Sequence, residues 1–78
     1  MEVHASAGKH AVDEQDIRHA VEQAMVVEDQ DDDTRLYLGA SRSGALLEVV
    51  TVLREDGSEL VIHAMPMRSN YRRLLPEG

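Results

Sequence analysis

His63 is the residue of this sequence best suited to proton transfer. The ordinary pKa of a histidine is about 6.5, so the side chain can act as a base or as an acid near neutral pH. It stands in a predicted strand, 59–65, and Glu48 in the preceding apolar stretch falls on either face of the sheet, depending on register. If the two share a face, together with Tyr37 or Arg35, they form a titratable cluster of the kind that general acid–base chemistry requires. The alternative is a pair of polar residues on the solvated face of an ordinary sheet.

A second group of side chains, near the end of the sequence, could hold a phosphodiester. Arg68, Arg72 and Arg73 stand close together, and guanidinium groups bind phosphate through paired hydrogen bonds. Tyr71 could stack on a nucleic-acid base or donate a proton. Helical spacing also places Tyr71 on the side of Leu74, where it would belong to the core instead. The net charge of -7 opposes tight RNA binding without a local positive patch.

The acidic run 28–33 is the third candidate for chemistry. Asp29, Asp31 and Asp33 match the first three ligand positions of a calcium loop, but Thr34 replaces the glycine that such a loop needs. The run is therefore interpreted as a solvated loop or as a contact surface for a basic partner. The four histidines have no metal-ligand spacing and the chain has no cysteine. We predict neither a metal nor another cofactor.

Length and composition limit the class of protein. The 78 residues predict a single small domain, 1–78. Folding of so short a chain buries only about 60% of the surface exposed when unfolded, which favours a homo-oligomer or a heteromer. The lack of cysteine argues against a secreted disulfide scaffold, and the first residues lack the pattern of a signal peptide, so a cytoplasmic protein is expected. The longest apolar stretch, 45–53, is interrupted by Glu48 and Thr51, so no membrane span is predicted.

Helices and strands predicted from the residue pattern must position these side chains. Asp13 is placed to cap a helix that the apolar spacing extends to about residues 25–27. Alternating or Val- and Leu-rich segments predict strands over 34–40, 45–54 and 59–65, and the tight turns between them make these strands antiparallel neighbours. The sequence therefore predicts an α+β fold with an N-terminal helix, a three-stranded antiparallel β-meander and a short C-terminal helix.

Several short stretches occur in an order that resembles a known family. They are Lys9-His10-Ala11-Val12 before the acidic helix, Arg35 before Leu38-Gly39, the segment 44–50, Arg54, and Val61-Ile62-His63-Ala64 before an Arg-rich end. From about Lys9 to Leu75 the chain resembles the BrnT-like ribonuclease toxins of bacterial toxin–antitoxin pairs, which are small proteins of the RelE superfamily. The family typically has Lys-His-Gly where this chain has Lys9-His10-Ala11, and its C-terminal charged positions are mostly substituted here. The resemblance is thus to a divergent member.

This resemblance implies a RelE-like fold, cleavage of RNA without a metal, and neutralisation by a cognate antitoxin protein. Such cleavage needs a base, an acid and a cation at the phosphate. On this resemblance, His63 is the base or the acid, Arg68 or Arg35 holds the phosphate, and Tyr71 or His10 is the second proton-transfer group. The candidates for RNA binding are Lys9, Arg35, Arg72 and Arg73.

Three function classes remain open on the sequence. The first is a toxin-like protein that could act as an endoribonuclease on an RNA substrate. The second is a non-catalytic module for protein interaction or dimerisation. The third is an antitoxin or regulator that presents its acidic run to a basic toxin.

Overall fold

The computed structural model describes residues 1–4 and 12–76. The elements are β1 (Glu2–Val3), α1 (Glu14–Glu22), β2 (Val26–Asp29), β3 (Thr34–Ala40), β4 (Leu46–Leu53), β5 (Glu59–Pro66) and a 3-10 helix (Ser69–Leu74). The strands form one mixed sheet in the order β1-β5-β4-β3-β2. The short β1 is parallel to β5, and the other neighbouring strands are antiparallel. In this order β4 is the central strand.

The predicted architecture, a helix followed by a three-stranded meander, is wrong. The structure has strands at the three predicted stretches, but β2 and β1 add one further strand at each edge. The helix ends at Glu22 rather than at 25–27. The reason is that the N–H of Met25 donates to the carbonyl of Leu38 at 2.8 Å, and the residues after it pair with β3. The acidic run therefore begins inside a strand. The predicted C-terminal helix is a 3-10 helix.

The helix α1 begins where its capping residue predicts. The Asp13 carboxylate accepts a hydrogen bond from the N–H of Gln15 at 2.7 Å, which satisfies a donor that the first helical turn leaves unpaired. Arg42, in the turn between β3 and β4, donates to Asp16 at 2.8 Å and to Gln15 at 2.9 Å, and so ties the helix start to the sheet. Among the described residues, no helix is long and apolar enough to cross a membrane.

The main core lies between α1 and one face of the sheet, called here the helix face. Ile17 and Ala20 of the helix pack there against buried strand residues, which are Tyr37, Leu47, Val49, Val61 and Ala64. A Cβ atom at Gly39 would lie 2.1 Å from the carbonyl oxygen of Ala20. Glycine at this position therefore lets the helix approach the backbone of β3 closely.

The other face of the sheet, called here the second face, is buried at its centre. Side chains alternate along a strand, so Leu36 and Leu38 lie on the face opposite Tyr37, and each is at most 1% exposed. The chain after β5 turns back toward this face. The N–H of Met67 donates to the carbonyl of Leu46 at 3.0 Å, and the next residue reaches the second face directly, as described below.

Candidate functional site

Glu48 lies at the centre of the second face. In the antiparallel register it stands opposite Leu38 on β3 and Met65 on β5. Its side chain is completely buried. An ionised carboxylate is costly to bury unless it is paired and hydrogen-bonded, so the groups around Glu48 decide whether this position is tolerated.

His63 lies on the same face as Glu48, because Glu48 pairs with Met65 and Val50 pairs with His63 in regular antiparallel register. A β-bulge follows immediately after the second of these pairs. Val50 pairs with His63 but Thr51 pairs with Val61, so Ile62 is an extra residue on β5. This extra residue interrupts the alternation and places His63 on the face opposite Val61. The Nε2 atom of His63 then lies 3.0 Å from Oε2 of Glu48.

Arg68 completes the contacts of this carboxylate. Its backbone N–H and its Nε each lie 3.0 Å from Oε1 of Glu48, and a terminal guanidinium nitrogen lies 2.8 Å from Oε2. The Arg68 side chain is 55% exposed, whereas that of Glu48 is not exposed at all. The ion pair thus joins the interior of the second face to the surface, and it holds the segment after β5 against the sheet.

The hydrogen bonds decide the charge of Glu48. Burial by itself raises the pKa of this carboxyl, but the hydrogen bonds from Arg68 and His63 outweigh burial and hold the pKa below its ordinary value. The same contact raises the pKa of Arg68. Glu48 is therefore ionised at neutral pH.

The 3-10 helix, which follows Arg68, carries Tyr71, Arg72 and Arg73. The guanidinium carbon of Arg68 is 5.8 Å from the centre of the Tyr71 ring, within the range of a cation–π contact. Arg72 and Arg73 are exposed and form no ion pair with another described residue.

Three of the four catalytic candidates therefore lie around the carboxylate of Glu48. We call Glu48, His63, Arg68 and Tyr71 together the Glu48 cluster. His63 and Arg68 contact Glu48 directly, and Tyr71 lies against Arg68. A carboxylate that binds one nitrogen of a histidine can orient the ring for proton transfer. The same contacts also have a purely architectural effect, because they dock the end of the chain on the sheet.

Arg35 lies away from the Glu48 cluster, on the helix face. Its Nε is 2.6 Å from Oδ1 of Asp29, which lowers the pKa of that carboxyl. The Tyr37 hydroxyl, on the same face, donates to Glu59, and burial together with this hydrogen bond raises the pKa of Tyr37. Of the two arrangements left open by the sequence, Glu48 shares the face of His63, but neither Arg35 nor Tyr37 joins them.

The candidates Lys9 and His10 lie outside the residues that the structure describes. Within the described ranges, 1–4 and 12–76, no group of three acidic or histidine side chains could hold a metal ion, and no cleft of ligand size is present.

Acidic side chains gather at one end of the sheet. The β2–β3 loop, 30–33, and the β4–β5 turn, 54–58, meet there, and the N–H of Leu53 donates to the carbonyl of Asp33 at 2.8 Å. Five exposed carboxylates of these two loops form no ion pair with a described residue; they are Asp31, Asp32, Asp33, Glu55 and Asp56. This end of the protein is strongly negative.

The strand β2 is an open edge of the sheet. Its strand neighbour is β3, and no other described strand pairs with it. Met25 and Val27 expose 47% and 56% of their surface, and Glu28 and Asp29 beside them are also exposed. The sequence pattern does not predict this edge, because the apolar spacing of the helix continues through 25–27. The available signal was the pair of β-branched valines immediately before the acids.

Comparisons of the chain with protein-family models, with curated proteins and with solved structures gave no match. The BrnT-like resemblance, and the activity and antitoxin that it implies, therefore stay predictions.

Proposed function

We propose that this chain is a non-catalytic protein-interaction module of the cytoplasm and that the side of the sheet formed by β2 is its contact surface. The observation that carries the proposal is an open edge strand with exposed Met25 and Val27, followed by a loop in which the carboxylates of Asp31, Asp32 and Asp33 form no ion pair with a described residue. Edge strands and exposed apolar side chains are recurrent features of protein-binding surfaces. The absence of cysteine fits a reducing compartment.

The distribution of charge supports a protein partner that is basic. Five arginines are already paired with acids of the chain; they are Arg18, Arg35, Arg42, Arg54 and Arg68. The net charge is -7, and the carboxylates left over lie mainly at the end of the sheet where β2 meets its loop. An approaching molecule therefore meets a negative field on this side.

Site-specific cross-linking tests this proposal. A photoreactive benzoylphenylalanine replaces Val27 in one variant and Arg73 in a second, and both are expressed at native level in the source cells. We expect one protein, in a constant ratio to the chain, to cross-link from position 27 and not from position 73. The absence of a protein adduct from position 27 would contradict the proposal.

A second candidate function is a toxin-like, metal-independent endoribonuclease that a cognate antitoxin neutralises. The observation that favours it is the Glu48 cluster, which brings His63, Arg68 and Tyr71 together beside the exposed Arg72. In this reading His63 transfers a proton and the arginines bind the phosphate.

Incubation of the purified protein with total RNA in the presence of a chelator tests this second candidate. If it is correct, RNA is cleaved, His63→Ala abolishes cleavage, and the double variant Arg72→Ala, Arg73→Ala weakens it. The last two side chains are exposed and unpaired among the described residues, so their removal leaves the fold intact. RNA that stays whole, or cleavage that survives His63→Ala, excludes the candidate. An RNA adduct from the cross-linker at position 73 would favour it over the interaction module.

A further inference from the structure

The backbone of β2 offers hydrogen-bonding groups to a strand that is not part of the described sheet. The N–H of Gln30 donates to the carbonyl of Thr34 at 2.8 Å, and Glu28 stands opposite Leu36. In an antiparallel ladder, residues that bond to the neighbouring strand alternate with residues that do not. Glu28 therefore turns its N–H and C=O toward β3, whereas those of Val27 and Asp29 point to the open edge.

The side chains around this edge define what could cover it. Val27 of β2 and Met25, in the bend immediately before this strand, are exposed apolar residues, and the two are called here the apolar strip. The loop that follows carries the exposed carboxylates of Asp31, Asp32 and Asp33. A complementary strand needs apolar side chains on one face and positive charge near the end that meets this loop.

A second copy of the chain fits this edge less well. If two β2 strands paired in antiparallel fashion about Val27, the Glu28 carboxylates of the two copies, which form no ion pair with a described residue, would lie diagonally across from each other, and each copy carries a net charge of -7. Charges on such short strands lie within about one Debye length of each other, roughly 10 Å at 0.1 M salt, so their repulsion is felt. A basic segment turns this repulsion into attraction.

We propose that β2 accepts an extended, lysine- or arginine-rich segment of a partner protein as an additional strand, bound through the outward N–H and C=O groups of Val27 and Asp29. This inference rests on the proposed function as an interaction module and adds the mode and the chemistry of the partner. Backbone hydrogen bonds supply the affinity, as in other cases of strand addition, and the apolar strip and acidic loop supply the selectivity.

A synthetic peptide in which lysine alternates with valine serves as the probe. Its control has the same composition, with all lysines preceding all valines. We expect the alternating peptide to bind saturably and to protect the amides of Val27 and Asp29 from hydrogen exchange, as followed by NMR. Affinity should fall by about tenfold or more as salt rises from about 50 mM to 0.5 M, because the charges are at the surface.

Two variants of Val27 test the backbone hydrogen bond between β2 and the peptide separately from the other contacts. Val27→Pro removes an N–H that points outward and leaves the pairing of β2 with β3 in place, whereas Val27→Thr keeps this N–H. We expect about a fivefold loss of affinity for the first and about twofold or less for the second, since one intermolecular hydrogen bond contributes about 1 kcal/mol. Should Val27→Pro fail to fold, methylation of alternate peptide amides makes the same test on the unchanged protein.

Each result of the peptide-binding experiments supports or contradicts strand addition at β2. Equal binding of both peptides shows attraction by charge alone, and unchanged binding of the methylated peptides shows that the backbone is not used; either result overturns strand addition. Failure of the peptide to bind at about 1 mM, near the limit of specific recognition, also overturns it and leaves the acidic residues as protection of the edge against aggregation. A partner protein that still cross-links from position 27 would then preserve the interaction module with a different binding mode, and a cross-linked second copy would identify dimerisation instead.

Discussion

Replacing Glu48 by glutamine tests whether its ion pair holds the C-terminal segment on the sheet. The amide oxygen of glutamine can still accept the two hydrogen bonds that Arg68 makes to Oε1 at 3.0 Å. The amide nitrogen, however, would face the guanidinium nitrogen at 2.8 Å, which can only donate, while Nε2 of His63 at 3.0 Å can accept from the amide in its other tautomer. One charge-assisted hydrogen bond is therefore lost, at about 1.5–3 kcal/mol before solvation, and the others are weakened because the carboxylate charge is removed.

The net cost of Glu48→Gln is smaller than this gross loss. Arg68 is more than half exposed, so water replaces part of its contact, and the variant no longer buries a charge. We expect the free energy of unfolding at pH 7 to fall by about 2 kcal/mol, which is a large part of the stability of a domain this small. With an m-value of about 1 kcal/mol per molar urea, the unfolding midpoint followed by far-UV circular dichroism should fall by about 2 M.

The difference between the two proteins should also depend on pH. The pKa of Glu48 lies below its ordinary value of 4.5 in the folded protein, so the unfolded chain binds this proton more readily than the folded one. The stability that the charge contributes is fully present above pH 4.5 and is lost as the pH falls through the lowered pKa. The difference in unfolding free energy between wild type and Glu48→Gln should therefore narrow below pH 4.5. A variant as stable as wild type at pH 7, or a difference that is the same at pH 7 and pH 3, would refute the reasoning.

Three further predictions concern other parts of the structure. Gly39→Ala should lower the free energy of unfolding by about 3 kcal/mol in urea titrations, because its methyl group would meet the carbonyl of Ala20 at 2.1 Å; an unchanged midpoint would show that the helix is not seated this closely. Asp13→Ala should cost about 1 kcal/mol through loss of the helix cap, whereas Asp13→Asn, which can still cap, should cost much less; equal losses would contradict the capping role. In the Tyr71→Phe variant, where Tyr37 is the remaining tyrosine, absorbance titration should give a midpoint above the ordinary value of 10.0, since burial raises the pKa of Tyr37; a midpoint at or below 10.0 would contradict it.

The three inner strands and the helix start were accessible from the sequence because their signals are local. Asp13 has the side chain and position of a cap, and alternation with tight turns marks the segments 34–40 and 59–65. The edge strand β2 was missed because Met25 continues the apolar spacing of the helix. Its N–H instead bonds to Leu38, a contact set by the tertiary fold, which local pattern does not contain.

The candidate site was partly predictable for the same reason. The sequence predicts His63 and Arg68 as candidate site residues because their side chains can bind anions or transfer protons. Whether His63 shares a face with Glu48 depends on the register that puts Glu48 opposite Met65, and the bulge at Ile62 keeps Val61 on the opposite face. No local rule fixes that register, and for this reason the sequence left the face of Glu48 open.

The sheet order has a consequence for how the chain folds during synthesis. The first strand pairs with the last, Val3 beside Val61, whereas β2, β3 and β4 are joined in sequence by short loops. These local pairings can form as soon as the residues leave the ribosome, but β1 has no strand to join until β5 has been made. Among the described strands, β1 is thus made first but joins the sheet only after β5, and the nascent chain exposes the β4 edge until β5 has been made.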